Sequence, residues 1–120
     1  MNFKSNEKAA IVRLLSLMSI SDGSVDPREI GMTQLFMKRL GATNSDVAAS
    51  ARMSDSQACS IAKGMSLEKK RIASALLVEL MVSDNEVERS EVAVLVGICA
   101  KCEFPMFSLF EARAVLTEYF

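Results

Sequence analysis

The sequence predicts an all-α protein of about seven helices, in which two pseudo-symmetric helix–turn–helix hairpins pack as a bundle. Residues that favour helix dominate the chain, which has only five Gly and two Pro. Apolar residues recur every three or four positions, and no segment alternates as a strand would. In addition, a stretch of the first half recurs 62 residues later, which predicts the pairing of two similar hairpins.

The first hairpin is predicted from its apolar stripe and its capping signals. Residues 5–21 carry apolar side chains on one face, which predicts the first helix. After the turn DGSVD, Asp26 caps a second helix and Pro27 takes its first position. Glu29 completes this start signal, and Gly41 is placed to end the helix.

Five further helices follow, and capping residues mark most of their starts. The predicted helices are a short one over Val47–Arg52 capped by Asn44 or Ser45, a second short one from the capping box Ser54–Gln57 to Gly64, a long one after Ser66 from Leu67 to Val82, one through residues 92–102, and a last one after Pro105 opened by Ser108 and Glu111.

The internal repeat aligns Leu14–Ile30 with Leu76–Val92. The two segments read LLSLMSISDGSVDPREI and LLVELMVSDNEVERSEV, with six identities in seventeen positions and the apolar phase kept. Shared helix propensity alone does not produce this agreement. We therefore expect the second hairpin to repeat the first, with the short middle helices as the connection.

The length of 120 residues predicts one domain spanning 1–120. Half of the residues are hydrophobic and 24% are charged, which is typical of a globular protein. The longest strongly apolar run, Val92–Ala100, is too short to cross a bilayer. The charged start MNFKSNEK lacks the apolar core of a signal peptide, so we expect a cytoplasmic protein that does not span a membrane.

The charges are unevenly distributed. A net charge of −1 gives no general attraction to nucleic acid. The repeated motif, however, holds seven of the fifteen acids in the windows 22–29 and 84–91. These acids are Asp22, Asp26, Glu29, Asp84, Glu86, Glu88 and Glu91.

The first interpretation of this acidic motif is a site for a divalent cation. DGSVDPRE matches the last eight positions of an EF-hand loop, but the earlier ligand positions fall on Met18 and Ile20, so an EF-hand is not expected. If both turns lie at one end of the bundle, their carboxylates approach and repel one another. Bound Ca²⁺, Mg²⁺ or Mn²⁺ would relieve this repulsion. The candidate ligands are Asp22, Asp26, Glu29, Asp84, Glu88 and Glu91.

The second interpretation is structural. Asp26 caps a helix, Glu29 reaches back to the cap, and the helix dipole favours acids at this end. Asp22 and Asp84 can brace their turns. The second copy has Glu88 at the cap position, where Glu is a poor cap, so capping explains that copy less well. Both interpretations remain open on the residues alone.

The repeated hairpin with the motif S-D-G-x-V-D-x-x-E-I resembles the TerB-like family, which is associated with tellurite resistance and stress response. The resemblance covers roughly residues 9–120 and implies a helical bundle of pseudo-symmetric halves. It also implies a metal site at Asp22, Asp26, Glu29, Asp84 and Glu91. In the second copy Glu88 replaces Asp, and Asn85 replaces the turn Gly. The resemblance brings no enzymatic activity. It implies a metal-sensing or scaffolding module that works beside other proteins.

The motif CAKC, Cys99 to Cys102, has the spacing of a zinc or redox pair. The repeat, however, places these cysteines over Met37 and Leu40, which are apolar positions. With Cys59 as the only other cysteine and no His in the chain, a tetrahedral site lacks a fourth ligand. We therefore expect core thiols.

No catalytic motif is found. The chain has no His, no Gly-rich phosphate loop and no nucleophile elbow, so an enzyme is not expected. The leading expectation is a TerB-like module that holds or senses a divalent cation and acts through a protein partner. The alternative is a purely structural protein–protein interaction domain whose acids only cap helices. Both hypotheses allow a homo-oligomer, and neither predicts a nucleic-acid partner.

Overall fold

A computed structural model describes residues 2–19, 27–82 and 89–120, without the side chains of residues 19 and 27–30. Seven helices and no strand occur in this part of the chain, which confirms the predicted all-α fold. None of these helices combines the length and the apolar character needed to cross a bilayer. The helices are α1 (Ser5–Ser19), α2 (Pro27–Leu40), α3 (Asn44–Arg52), α4 (Asp55–Lys63), α5 (Leu67–Met81), α6 (Arg89–Cys102) and α7 (Leu109–Tyr119).

The helix bounds repeat at the same spacing as the sequence. The helices α1 and α5 both have 15 residues, α2 and α6 both have 14, and each pair is offset by 62 positions at both ends. Gly41 follows α2 with φ of 73°, and Glu103 follows α6 with φ of 57°. These two positions are also 62 apart, so each helix is followed by a residue with left-handed backbone at the equivalent position of the repeat. The structural repeat thus continues beyond the segment of clear sequence similarity.

The packing of the helices is reciprocal between the two halves. The central helices α1 and α5 contact each other, α2 and α6 each contact both of them, α3 packs on α1, and α7 packs on α5. One helix breaks the pattern, because α4 packs on α1 and α6 and has no counterpart on α5 and α2 among the described helices.

The core is built from equivalent positions of the two halves. Leu14 and Leu76 are each no more than 1% exposed and belong to one hydrophobic cluster. Cys99 and Cys102 are buried in the same cluster, as the repeat predicts. The CAKC motif therefore supplies core side chains of α6.

Two of the predicted capping boxes are confirmed, and one predicted cap is wrong. Ser54 and Ser108 cap α4 and α7 with the expected reciprocal hydrogen bonds. The cap of α3, however, is Thr43 rather than Asn44 or Ser45. Thr43 has an acid, Asp46, at the third helical position, and the Thr43 N–H donates to the Asp46 carboxylate over 2.9 Å. Asn44 and Ser45 have no such acid three residues later.

Candidate metal centre at the acidic motif

The six predicted ligands differ in what the structure describes of them. Asp22, Asp26, Asp84 and Glu88 lie outside the described residues. Glu29 is the third residue of α2, and its side chain is not described. Glu91, the third residue of α6, is the one predicted ligand whose side chain the structure describes.

The carboxylate of Glu91 lies inside the protein. Glu91 is 2% exposed, and Leu95, one turn later in α6, is equally buried. Burial of a carboxylate costs several kcal/mol unless hydrogen bonds or positive charge compensate it. The positive end of the α6 dipole lies at the same turn and favours the charged form. A buried acid thus lies in the first turn of α6.

The two halves have a glutamate at the equivalent position of the sequence. Glu29 and Glu91 both occupy the third position of a 14-residue helix, shortly after the other acids of the repeated motif in the sequence. Within the described residues, no three or more His, Cys, Asp or Glu side chains form a group that could hold a metal. Both predicted roles of these acids, ligation and capping, stay predictions.

A buried ion pair lies at the start of the central helices, and sequence reasoning missed it. Glu7 Oε1 accepts hydrogen bonds from Lys69 Nζ over 2.7 Å and from the Lys4 N–H over 2.8 Å. Burial raises the pKa of Glu7, but the hydrogen bonds and charges of Lys69 and Lys4 outweigh it, so the pKa lies below the ordinary 4.5.

Glu7 and Lys69 are equivalent residues of the repeat, 62 positions apart. In a two-fold arrangement, a residue that touches its own counterpart lies near the symmetry axis. The offset of 62 was thus the signal that could have found this pair, once α1 and α5 were known to face each other. Two identical charged residues could not occupy such positions without repulsion.

The three cysteines lie near one another on α4 and α6 and have the properties of core thiols. Burial, followed by the contact with Cys59, raises the pKa of Cys102 to about 12. Burial also raises the pKa of Cys99, in spite of its contact with the Ser74 hydroxyl. Thiols with raised pKa values stay protonated at neutral pH and are poor nucleophiles and poor metal ligands.

With this geometry known, the fold can be compared with solved proteins. The crystal structure of a protein of unknown function from Porphyromonas gingivalis W83 matches the chain with a TM-score of 0.85 and 30% sequence identity. The match covers 98% of this chain and 92% of the other. The two proteins belong to one family. That relative is described as being of unknown function, so membership carries the fold and no activity.

No protein-family model and no curated protein matches the chain. The resemblance to the TerB-like family, and the metal site that it implies, therefore stay predictions.

Proposed function

We propose that the protein is a TerB-like stress-response module that binds a divalent cation at its two acidic turns and acts through a protein partner. The observation that supports this most is the burial of Glu91, which is 2% exposed and follows Asp84 and Glu88 closely in the sequence. If these acids lie close together in the folded chain, a hard cation such as Ca²⁺, Mg²⁺ or Mn²⁺ would stabilise them.

The repeat supports a site shared by the two halves. Glu29 holds the place in α2 that Glu91 holds in α6, and each follows two further candidate ligands in the sequence. The three candidate carboxylates of one half would supply six oxygen ligands to Ca²⁺ only if each bound through both of its oxygens. A cation held between the turns would couple the two hairpins, and a partner protein would recognise the coupled state.

A specific observation favours the alternative, a structural interaction domain whose acids only cap helices. Three helices of this chain begin with complete capping boxes, in which the residue at the third helical position bonds back to the cap. Those residues are Asp46, Gln57 and Glu111. Glu29 and Glu91 occupy the same third position, so capping alone would account for them.

Thermal unfolding with and without Ca²⁺, Mg²⁺ or Mn²⁺ separates the two functions. An ion at a hundred times its dissociation constant stabilises the protein by about 2.7 kcal/mol. In Glu91→Gln the carbonyl can still accept the capping bond, but the charge is lost, so the ion-dependent increase in Tm should disappear. Glu111→Gln is the matched control, because Glu111 also caps at the third position and lies outside the motif.

The expected result is an increase in Tm that Glu111→Gln keeps and Glu91→Gln loses. If no ion raises the Tm of the wild-type chain, or if Glu91→Gln keeps the full increase, the cation proposal is wrong. The capping alternative predicts that both variants behave alike with every ion.

A further inference from the structure

An open groove with both apolar and polar lining lies between α2, α5 and α7. Its volume is about 540 Å³, and Arg39, Glu79, Arg113 and Thr117 complete its lining. Two of the apolar side chains in it, Leu35 and Phe120, are 41% and 46% exposed. Large exposed apolar side chains grouped in a concave surface are typical of a binding site. The apolar lining residues are Met32, Leu35, Phe36, Leu116 and Phe120.

The equivalent surface of the other half is covered by α4. A smaller cleft of about 360 Å³ remains there between α1, α4 and α6. On α1 and α6 it is lined by Leu17, Val94, Gly97, Ile98 and Lys101. Each lies 62 positions from a lining residue of the open groove, namely Glu79, Met32, Leu35, Phe36 and Arg39. The groove and the cleft are therefore the same surface in the two halves.

The chemistry of α4 shows what this surface accepts. This nine-residue helix buries two small side chains, Ala58 and Ala62, completely. Its first residue, Asp55, pairs with Arg13 of α1 over 3.0 Å and lines the cleft together with Lys101. An amphipathic helix with small apolar residues and an acid at its start thus fits the covered half.

The second half lacks such a helix among the described residues. There α7 takes the place of α3, since α7 packs on α5 as α3 packs on α1, and no described helix takes the place of α4. The open groove is the position at which a counterpart of α4 would lie.

The charges in the groove favour an acidic occupant. Arg113 Nε donates to Glu79 Oε1 over 2.9 Å, which pairs these two charges. The Arg39 guanidinium lies 5.8 Å from the centre of the Phe120 ring, and no described carboxylate pairs with it. Arg39 occupies the position equivalent to Lys101, which lies across the cleft from Asp55. In the covered half Asp55 pairs with Arg13, whose counterpart in the second half is the uncharged Ala75. Arg39 is therefore the cation of the groove that we expect an acid in the first turn of a docked helix to meet.

We propose that the groove between α2, α5 and α7 binds an amphipathic helix of a partner protein in the manner in which α4 covers the other half. Small apolar side chains of the helix contact Phe36 and Leu116, and an acid in its first turn pairs with Arg39. This is helix-in-groove recognition. None of the six candidate metal ligands lines the groove, and binding there does not require the cation of the proposed function.

The test uses a synthetic peptide with the sequence of residues 54–64, Cys59→Ser, and a hydrocarbon staple joining positions 56 and 60. Both stapled positions are exposed in α4, so the staple leaves the contact face free. A short free peptide would be only marginally helical, and the staple removes this cost. The peptide is titrated into the ¹⁵N-labelled full chain with EDTA present, which separates the result from cation binding.

The expected result is a set of amide shifts confined to α2, α7 and the facing side of α5. Leu35→Asp should weaken binding by about tenfold or more, because it places a charge in the apolar contact. Arg39→Glu, and the peptide change Asp55→Asn, should each weaken binding by about threefold to tenfold, and more at low salt. Lys101→Glu is the matched control at the equivalent position of the covered half, and it should change binding by less than about twofold.

Several outcomes would overturn the proposal. One is no binding at millimolar peptide, and another is equal binding to Leu35→Asp. Shifts on α1 and α6 would mean that the peptide displaces α4 instead. Concentration-dependent shifts of α2 and α7 without peptide would identify the occupant as a second copy of the chain. The peptide change Ala58→Asp places a charge in the apolar contact and should weaken binding, and equal binding of this peptide would also contradict the proposal. Because the protein itself is unchanged, a poorly folded variant cannot obscure this result.

Discussion

Replacement of Lys69 by methionine tests the buried ion pair between Glu7 and Lys69 at the start of the central helices. Lys69→Met keeps the apolar stem of the side chain and removes its ammonium group. The Glu7 side chain, 9% exposed, then loses its cation, and its carboxylate keeps the hydrogen bond from the Lys4 N–H over 2.8 Å. The Lys69 ammonium also lies 5.8 Å from the centre of the Phe3 ring, and this contact is lost as well.

The expected destabilisation at pH 7 is about 3 kcal/mol. Breaking a buried ion pair by removing one partner costs about 3–5 kcal/mol, since the remaining charge stays buried. The lower end applies here, because the Lys69 side chain is 17% exposed and water can reach the carboxylate. As a control, Lys63→Met breaks the pair with Glu103, whose side chains are 61% and 55% exposed, and should cost less than about 1 kcal/mol.

The pH dependence of the destabilisation by Lys69→Met shows whether the charge of Glu7 causes it. In the wild-type chain the pKa of Glu7 is lowered from 4.5, so the pair stabilises the fold above that pH and is lost as the pH falls through the folded-state value. In Lys69→Met, burial should raise the pKa of Glu7, so the carboxyl is protonated on acidification and its burial cost disappears. The difference in the free energy of unfolding should therefore shrink between pH 7 and pH 4.

Urea unfolding followed by circular dichroism, at pH 7 and at pH 4, measures both quantities. A loss below about 1 kcal/mol at pH 7, no larger than that of Lys63→Met, would show that the pair is not effectively buried. An equal loss at both pH values would show that the charge of Glu7 is not the cause.

Three further predictions concern single positions. Glu103→Gly should raise the free energy of unfolding by about 1 kcal/mol in urea melts, because Glu103 has φ of 57° and glycine adopts this region without strain. Iodoacetamide at pH 8 should alkylate half-buried Cys59 well before Cys102, whose pKa is raised to about 12, and prompt labelling of Cys102 in the native protein would contradict its burial. Thr43→Ala should cost about 1 kcal/mol in thermal melts and Asn44→Ala much less, and the reverse order would contradict the cap.

Local signals in the sequence predicted most of the fold. Apolar periodicity and caps such as Ser54 and Ser108 act over a few residues, and they gave the number and order of the helices. The cap of α3 was missed because Thr43, Asn44 and Ser45 are all capping residue types in succession. The choice among them depends on which residue has an acceptor three positions later.

The candidate site was predictable in its sequence position and not in its burial. The repeat places Glu29 and Glu91 at helix starts, and both lie there. The burial of Glu91 follows from the packing of α6 against α1, α4 and α5, and the chain brings these helices together only in the folded state. For the same reason no local pattern reveals that α4 covers one half and leaves the other open.

Exchange of the charges of Glu7 and Lys69 tests the two-fold relation between the two halves. Glu7→Lys alone places two ammonium groups in one partly buried site and should cost about 4 kcal/mol. Adding Lys69→Glu restores a pair of opposite charges. It also places an acid three residues after Ser66, the cap of α5, where a capping box can form in place of the bond between Glu7 and the Lys4 N–H. If the positions are truly equivalent, the double variant should unfold within about 1 kcal/mol of the wild-type chain, with a favourable coupling in the double-mutant cycle. A double variant no more stable than Glu7→Lys would show that the surroundings of the two positions differ too much to be exchanged.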